Sequence, residues 1–135
     1  MTSIDPGALR AALAERVVVA DGAMGTMLQA SAATLSDFDG HEGCNEILNV
    51  TRPDIVRAVH DGYLDAGVDC ITTNTFGANL SNLGEYGLED RIGELSEAGA
   101  RIARQAADAR ATAERPGVDA RHRSPSLDGV ASDHL

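Results

Sequence analysis

The sequence predicts an α/β fold assembled from strand–helix units with parallel strands. Three features carry that expectation. Val17, Val18 and Val19 form a β-branched run that stops at Ala20-Asp21-Gly22, as a strand buried on both faces does. A second such run occupies residues 68–73, and an amphipathic helical pattern lies between the two. A strand, a helical crossover and another strand make a βαβ unit, which implies a parallel pair. A long helical pattern over residues 89–110 then follows the second strand and begins a further unit.

Composition narrows the function classes. The chain has 135 residues, enough for one modest domain, and 43% of them are hydrophobic. Aromatics make up only 3%, so the core must be built from Val, Ile, Leu and Ala. The formal net charge of −10 argues against a nucleic-acid or anionic-membrane surface. No apolar run approaches the ~18 residues of a membrane span. The N-terminus lacks the basic-then-apolar order of a secretory signal. Cys44 and Cys70 are too few for a disulfide framework or a complete zinc site. A cytoplasmic protein is the expectation.

In chain order, residues 6–15 read as a first helix, with Pro6 at its start and Leu9 and Leu13 on one face. Residues 17–20 are the first strand. Residues 24–30 turn into a short helix with Met27 and Leu28 inward. Residues 31–46 are a polar, irregular surface loop, and long loops in compact domains are often functional. Thr51 is the expected N-cap of the next helix, with Asp54 completing a capping-box-like pair and Pro53 in the first turn. Ile55, Val56, Val59 and Tyr63 form its apolar stripe, and Gly67 is its left-handed stop. The second strand ends in Thr72, Thr73, Asn74 and Thr75. A loop over residues 76–88 is expected to hold a helical turn at 78–83. In the helix at 89–110, Ile92, Leu95, Gly99, Ile102 and Ala106 share a face, and Gly93, Ala98 and Gly99 permit close approach to a sheet. From residue 111 the apolar pattern fails. A third strand is due and none is legible, so residues 111–135 read as a disordered tail and the chain as part of a larger architecture.

The site candidates lie where the strands end, because α/β folds keep their sites at the carboxyl edge of the sheet. Asp21 offers a carboxylate there, although Asp-Gly is equally a common turn pair. Gly22, Ala23 and Gly25 could present backbone N–H groups to an anion, or merely form a tight strand-to-helix turn. The stretch is neither GxGxxG nor a P-loop. Thr73, Asn74 and Thr75 should lie near Asp21 if the two strands are neighbours, and ordinary turn chemistry explains them as well. Cys44 has no Cys or His partner at ligand spacing other than His41 in the loop, and Cys70 reads as core packing. His60, mid-helix, reads as a solvated or locally bonded histidine. His122 and His134 carry no argument.

Taken together, DGAMGTMLQ (21–29), GCNEILNVTRPDIVRAVHDGYLDAGVDCITTNTFGAN (43–79) and LGEYGL (83–88) resemble the start of the homocysteine-binding domain of cobalamin-dependent methionine synthase. The resemblance covers roughly residues 16–109. It implies that the chain is the first two β/α units of a TIM (β/α)8 barrel, truncated, with residues 1–15 a leading helix, 16–110 the partial barrel and 111–135 a tail outside the family. It implies methyl transfer to the sulfur of homocysteine, with zinc held by three cysteines to activate the thiol and methylcobalamin as donor. In the full enzyme, folate- and cobalamin-binding domains would accompany the barrel. The residues matching the substrate grip are Asp21, Gly22, Ala23, Met24, Gly25 and Thr26, with Asn74 on the second loop. By resemblance they would hold the ammonium and carboxylate ends of the amino acid.

The family's zinc cysteines stand in GxNC and GGCC motifs, which this sequence lacks, so no residue is carried over as a metal ligand. The chain alone is therefore expected to be inactive, and the loss of pattern after Ala109 suggests a truncated or frameshifted product. A cobalamin-independent branch using S-methylmethionine or a similar donor is the close alternative. A non-catalytic remnant acting as a binding fragment is the alternative of a different class.

Overall fold

The structure, a computed structural model, describes residues 7–111 and the backbone of residues 118–120. The expected first helix forms as α1 (Ala8–Glu15), but none of its residues is buried. The short α2 (Gly25–Gln29) buries Leu28, while Met27 stays exposed rather than turning inward. Consecutive helical residues point about 100° apart, and α2 is turned so that Leu28 rather than Met27 faces the core.

The loop at 31–46 is less irregular than its composition suggests. A 3₁₀ turn, Leu35–Phe38, is closed by a capping box between Thr34 and Asp37. The loop's end dives into the core, where Cys44 is buried and a second 3₁₀ turn, Asn45–Ile47, leads into α3 (Leu48–Thr51). Thr51 therefore ends one helix instead of capping the next, and its hydroxyl donates to the Ile47 carbonyl at 3.2 Å. The break falls at Arg52, with φ −140° and ψ 61°, because the residue before a proline is pushed out of the helical region. The Arg52 guanidinium spans the break, pairing with Asp54 at 2.8 Å and Asp37 at 3.1 Å.

From Pro53 the expected helix runs as α4 (Pro53–Asp65), burying Ile55, Val56, Val59 and His60. Gly67 follows with φ +97°, the left-handed stop foreseen for it. The second strand is β1 (Cys70–Thr72). The helical turn expected at 78–83 appears as α5 (Leu80–Glu85), capped by the Asn79 side chain, which accepts from the Asn82 amide at 2.9 Å. A 3₁₀ turn, Glu89–Arg91, opens the long α6 (Ile92–Arg110). The small-residue face acts as expected at Gly99, where a β-carbon would stand 2.7 Å from Asn49 Nδ2, 2.9 Å from Thr75 Cγ2 and 3.2 Å from the Asn74 carbonyl. Gly93 is exposed and meets nothing.

Two strand expectations are corrected. The valine run is not a strand buried on both faces. Among the described residues the run is paired only at its end: Ala20 forms a parallel bridge to Cys70, the Val19 carbonyl accepts the Cys70 amide at 3.2 Å, and Val17 and Val19 are 84% and 50% exposed. The pairing is cut short because the Asp69 carboxylate takes the Val19 amide at 3.0 Å, and α1, lacking buried residues, does not cover the run. Conversely, a third strand is present. β2 (Val118–Ala120) lies parallel to β1, with Cys70 opposite Val118 and Thr72 opposite Ala120. Backbone hydrogen bonds need no apolar periodicity, so so short a pairing leaves no trace in a hydrophobic pattern. Cys70 thus pairs with Ala20 on one edge and Val118 on the other, in sequence order, with α4 and α6 in the crossovers. The remainder of the expected tail lies outside the described residues.

The main core sits among the helices. Leu28, Cys44, Ile47, Leu48, Val56, Leu83 and Leu95 pack together, with Ile55, Val59, Leu88 and Ile102. A smaller cluster of Ile71, Ala103, Ala106 and Ala107 seats α6 against β1, and Tyr63 touches both clusters.

Candidate functional site

The turn after Ala20 meets the carboxyl end of β1. The Asp21 amide donates to the Cys70 carbonyl at 3.0 Å, which fixes the turn to the strand. The Asp21 side chain then reaches across to Thr72. One carboxylate oxygen accepts the Thr72 amide and the other its hydroxyl, each at 2.9 Å. A carboxylate accepts about four hydrogen bonds, so both oxygens keep capacity for a further donor. Asp21 remains partly exposed.

Beyond it, Gly22 and Ala23 run beneath α4. The Tyr63 hydroxyl donates to the Ala23 carbonyl at 2.7 Å, and a β-carbon on Gly22 would lie 3.3 Å from that hydroxyl. Gly25 passes close to Asn45, whose Nδ2 would stand 3.4 Å from a β-carbon there. Among the described residues the amides of Gly22, Ala23, Met24 and Gly25 donate to no carbonyl or side chain. A carboxylate beside a run of free amides can hold a zwitterion, the acid taking an ammonium group and the amides a carboxylate.

Asn74 is placed differently. Its side chain is buried, and its amide group donates to the Asn45 carbonyl at 3.0 Å and to Asn49 Oδ1 at 2.9 Å. Asn49 in turn donates to the Asn74 carbonyl at 2.8 Å and the Leu95 carbonyl at 3.1 Å. The pair ties the loop after β1 to α3 and α6, so Asn74 and the Asp21 turn are joined by framework rather than side by side. Glu46, only 5% exposed, performs a similar task by accepting the Gly77 amide at 2.7 Å. Thr73 and Thr75 share a hydroxyl hydrogen bond at 2.7 Å.

Sequence reasoning passed over Thr72 as a partner of Asp21, the Tyr63 hydroxyl, and Asn49. Tyr63 alone carried a signal: a tyrosine closing an apolar stripe has a polar tip that needs a partner.

His60 is neither solvated nor locally bonded. It is 0% exposed, and neither ring nitrogen has a hydrogen-bond partner among the described residues. Burial pushes its pKa below the ordinary histidine value, against the pull of the Asp21 and Asp61 carboxylates. The Cys44 thiol donates to Glu46 at 3.8 Å, and burial raises its pKa, so it is a packing residue with an unreactive thiol. No group of three His, Cys, Asp or Glu side chains among the described residues could hold a metal ion. The donor set present does not fit a three-cysteine zinc site.

Fold and site together define a protein of β/α units with a carboxylate-and-amide turn at the carboxyl edge of a parallel sheet. The family model for homocysteine S-methyltransferase matches residues 18–131, and the chain belongs to that family of methyltransferases. The match runs past Arg110, where the apolar pattern fails.

The chain is 60% identical over 96 residues to methionine synthase of Mycobacterium tuberculosis and 59% identical over 96 residues to that of Mycobacterium leprae. Each match covers 71% of this chain and 8% of the relative, so the chain spans less than a tenth of their length. Among solved structures it is similar to the metallated form of the homocysteine methyltransferase MmuM from Escherichia coli, with a TM-score of 0.67 and 28% identity, over 93% of this chain and 44% of that one. The oxidised form of the same enzyme gives a TM-score of 0.61 and 31% identity, over 75% of this chain and 34% of that one. No helix of the described residues is long and apolar enough to cross a membrane.

Proposed function

We propose that the chain carries the amino-acid grip of a methionine synthase-type homocysteine S-methyltransferase. In this reading Asp21 takes the ammonium group of homocysteine. The backbone of Gly22, Ala23, Met24, Gly25 and Thr26 takes its carboxylate. Asn74 contributes by holding the loop that faces them. The observation that carries the reading is the Asp21 turn: a carboxylate pinned by Thr72, followed by amides with no other acceptor.

The methionine synthase branch is favoured by 60% identity to such an enzyme. A barrel completed by further β/α units, and accompanying folate- and cobalamin-binding domains, would supply what this chain lacks. In such an enzyme zinc would activate the thiol and methylcobalamin would provide the methyl group. The residues described here fit neither, so no step through them is derived, and the chain by itself would hold substrate without turning it over. The likeness to the homocysteine methyltransferase MmuM, which extends over 93% of the chain, supports homocysteine as the methyl acceptor.

Calorimetric titration of the chain with homocysteine tests the reading. Binding that weakens by about tenfold or more in Asp21→Asn and is unaffected by added zinc is the expected result. Equal binding by the wild type and Asp21→Asn, or zinc-dependent methyl transfer by the chain alone, would refute it.

A further inference from the structure

We propose that Tyr63 is a positioning residue of this site: by holding the Ala23 carbonyl it sets the direction of the Ala23–Met24 peptide and aims the Met24 amide at the open side of the turn. The inference rests on reading residues 21–26 as the grip for an amino acid.

Tyr63 stands in the last part of α4, 40 positions from Ala23, yet its hydroxyl reaches the Ala23 carbonyl at 2.7 Å. The ring edge lies against Gly22, with Cε1 3.7 Å from where a β-carbon would be. A β-carbon at position 22 would crowd the hydroxyl at 3.3 Å, and glycine leaves that space open. A trans peptide is planar, and its carbonyl and N–H point in opposite directions. Anchoring the Ala23 carbonyl on α4 therefore turns the Met24 N–H away from α4, toward the side where it meets no other group of the described chain. The half-buried ring packs against both hydrophobic clusters, which holds it over the turn. Thr72 fixes the first residue of the turn through Asp21, and Tyr63 fixes the third. Between them the donor direction is set before any ligand arrives, which lowers the ordering cost of binding.

The test is Tyr63→Phe in the full chain, which keeps the ring and its packing and removes only the hydroxyl. Homocysteine affinity by calorimetry, backbone amide NMR signals of Ala23, Met24 and Gly25, and the thermal midpoint are measured together. The expected result is displaced amide signals confined to the turn, a Kd raised about 3- to 10-fold, and a midpoint within ~2 °C of the wild type. A purely structural role would lower the midpoint and leave Kd alone. Unmoved turn signals overturn the proposal, as do moved signals with an unchanged Kd. A wild-type chain that fails to bind homocysteine overturns both this and the substrate reading, and it is told apart because it is read before any variant is made. Binding by the wild type with an unaffected Tyr63→Phe variant sinks the positioning role alone.

Discussion

At the scale of single residues, two side chains carry predictions, the Asp21 carboxylate of the site and the buried imidazole of His60. Asp21 was visible in the sequence as an acid ending a strand, but its two hydrogen bonds from Thr72 depend on a neighbour 51 positions away. Asp21→Asn keeps the size of the side chain and removes its charge. A charge-assisted hydrogen bond to an ammonium group is worth roughly 1.5–3 kcal/mol, so homocysteine binding by calorimetry should weaken by about tenfold or more. His60 leads to a pH prediction. The unfolded imidazole titrates near its ordinary value of ~6.5, and burial holds the folded one lower. Above ~6.5 both states are neutral and this group adds no pH dependence. As pH falls below that value, the unfolded chain takes up a proton that the folded chain refuses, and stability is lost until the folded pKa is passed. Thermal midpoints measured from pH 7.5 to 5.5 should therefore fall more steeply in the wild type than in His60→Leu. Parallel slopes would show that His60 is not the group responsible. His60 stands four residues after Val56 and three before Tyr63, on the apolar stripe itself, so helical spacing already marked it for the buried face; that its ring nitrogens find no hydrogen-bond partner among the described residues was not legible.

Among elements, amphipathic helices were the most legible and their junctions the least. The stripe of α4 and that of α6 followed from 3- and 4-residue spacing. The break at Arg52 was not read correctly: Thr51-Arg52-Pro53-Asp54 has the composition of a helix start, yet Thr51 was already helical because the apolar Ile47 and Leu48 had drawn the preceding turn into the core. Gly99 shows the reverse case, a small residue whose role could be anticipated. A β-carbon there would meet Asn49, Thr75 and the Asn74 carbonyl at 2.7–3.2 Å, and the carbonyl belongs to a backbone held by the Asn49–Asn74 pair. Gly99→Ala should cost about 1–3 kcal/mol in urea denaturation, the usual penalty of overpacking. A change near zero would mean that α6 can slide away from the loop after β1.

For the whole molecule, the sheet is the open question that the chain poses to its surroundings. Among the described residues the three parallel segments do not close on themselves, and Val17 and Val19 lie exposed in the stretch leading into the first of them. Uncovered strand edges and apolar side chains favour association. Sedimentation velocity should show concentration-dependent self-association of the chain, reduced in a Val17→Thr, Val19→Thr double variant. A monomer at all concentrations in both would show that this flank does not associate.

The sequence by itself determined the α/β class, the two crossover helices, the left-handed stop at Gly67, and the family, whose motifs stand in order along residues 21–88. These follow from local chemistry and from order along the chain. Only the tertiary structure decided that the valine run pairs with β1 at its Ala20 end, that residues 118–120 supply a strand, that His60 finds no hydrogen-bond partner among the described residues, and that Thr72 and Tyr63 pin the two halves of the Asp21 turn. The physical reason is separation along the chain. The strand pairings and the two pins on the turn each join residues 40 or more positions apart in the chain, and neither periodicity nor propensity records which distant atoms will meet.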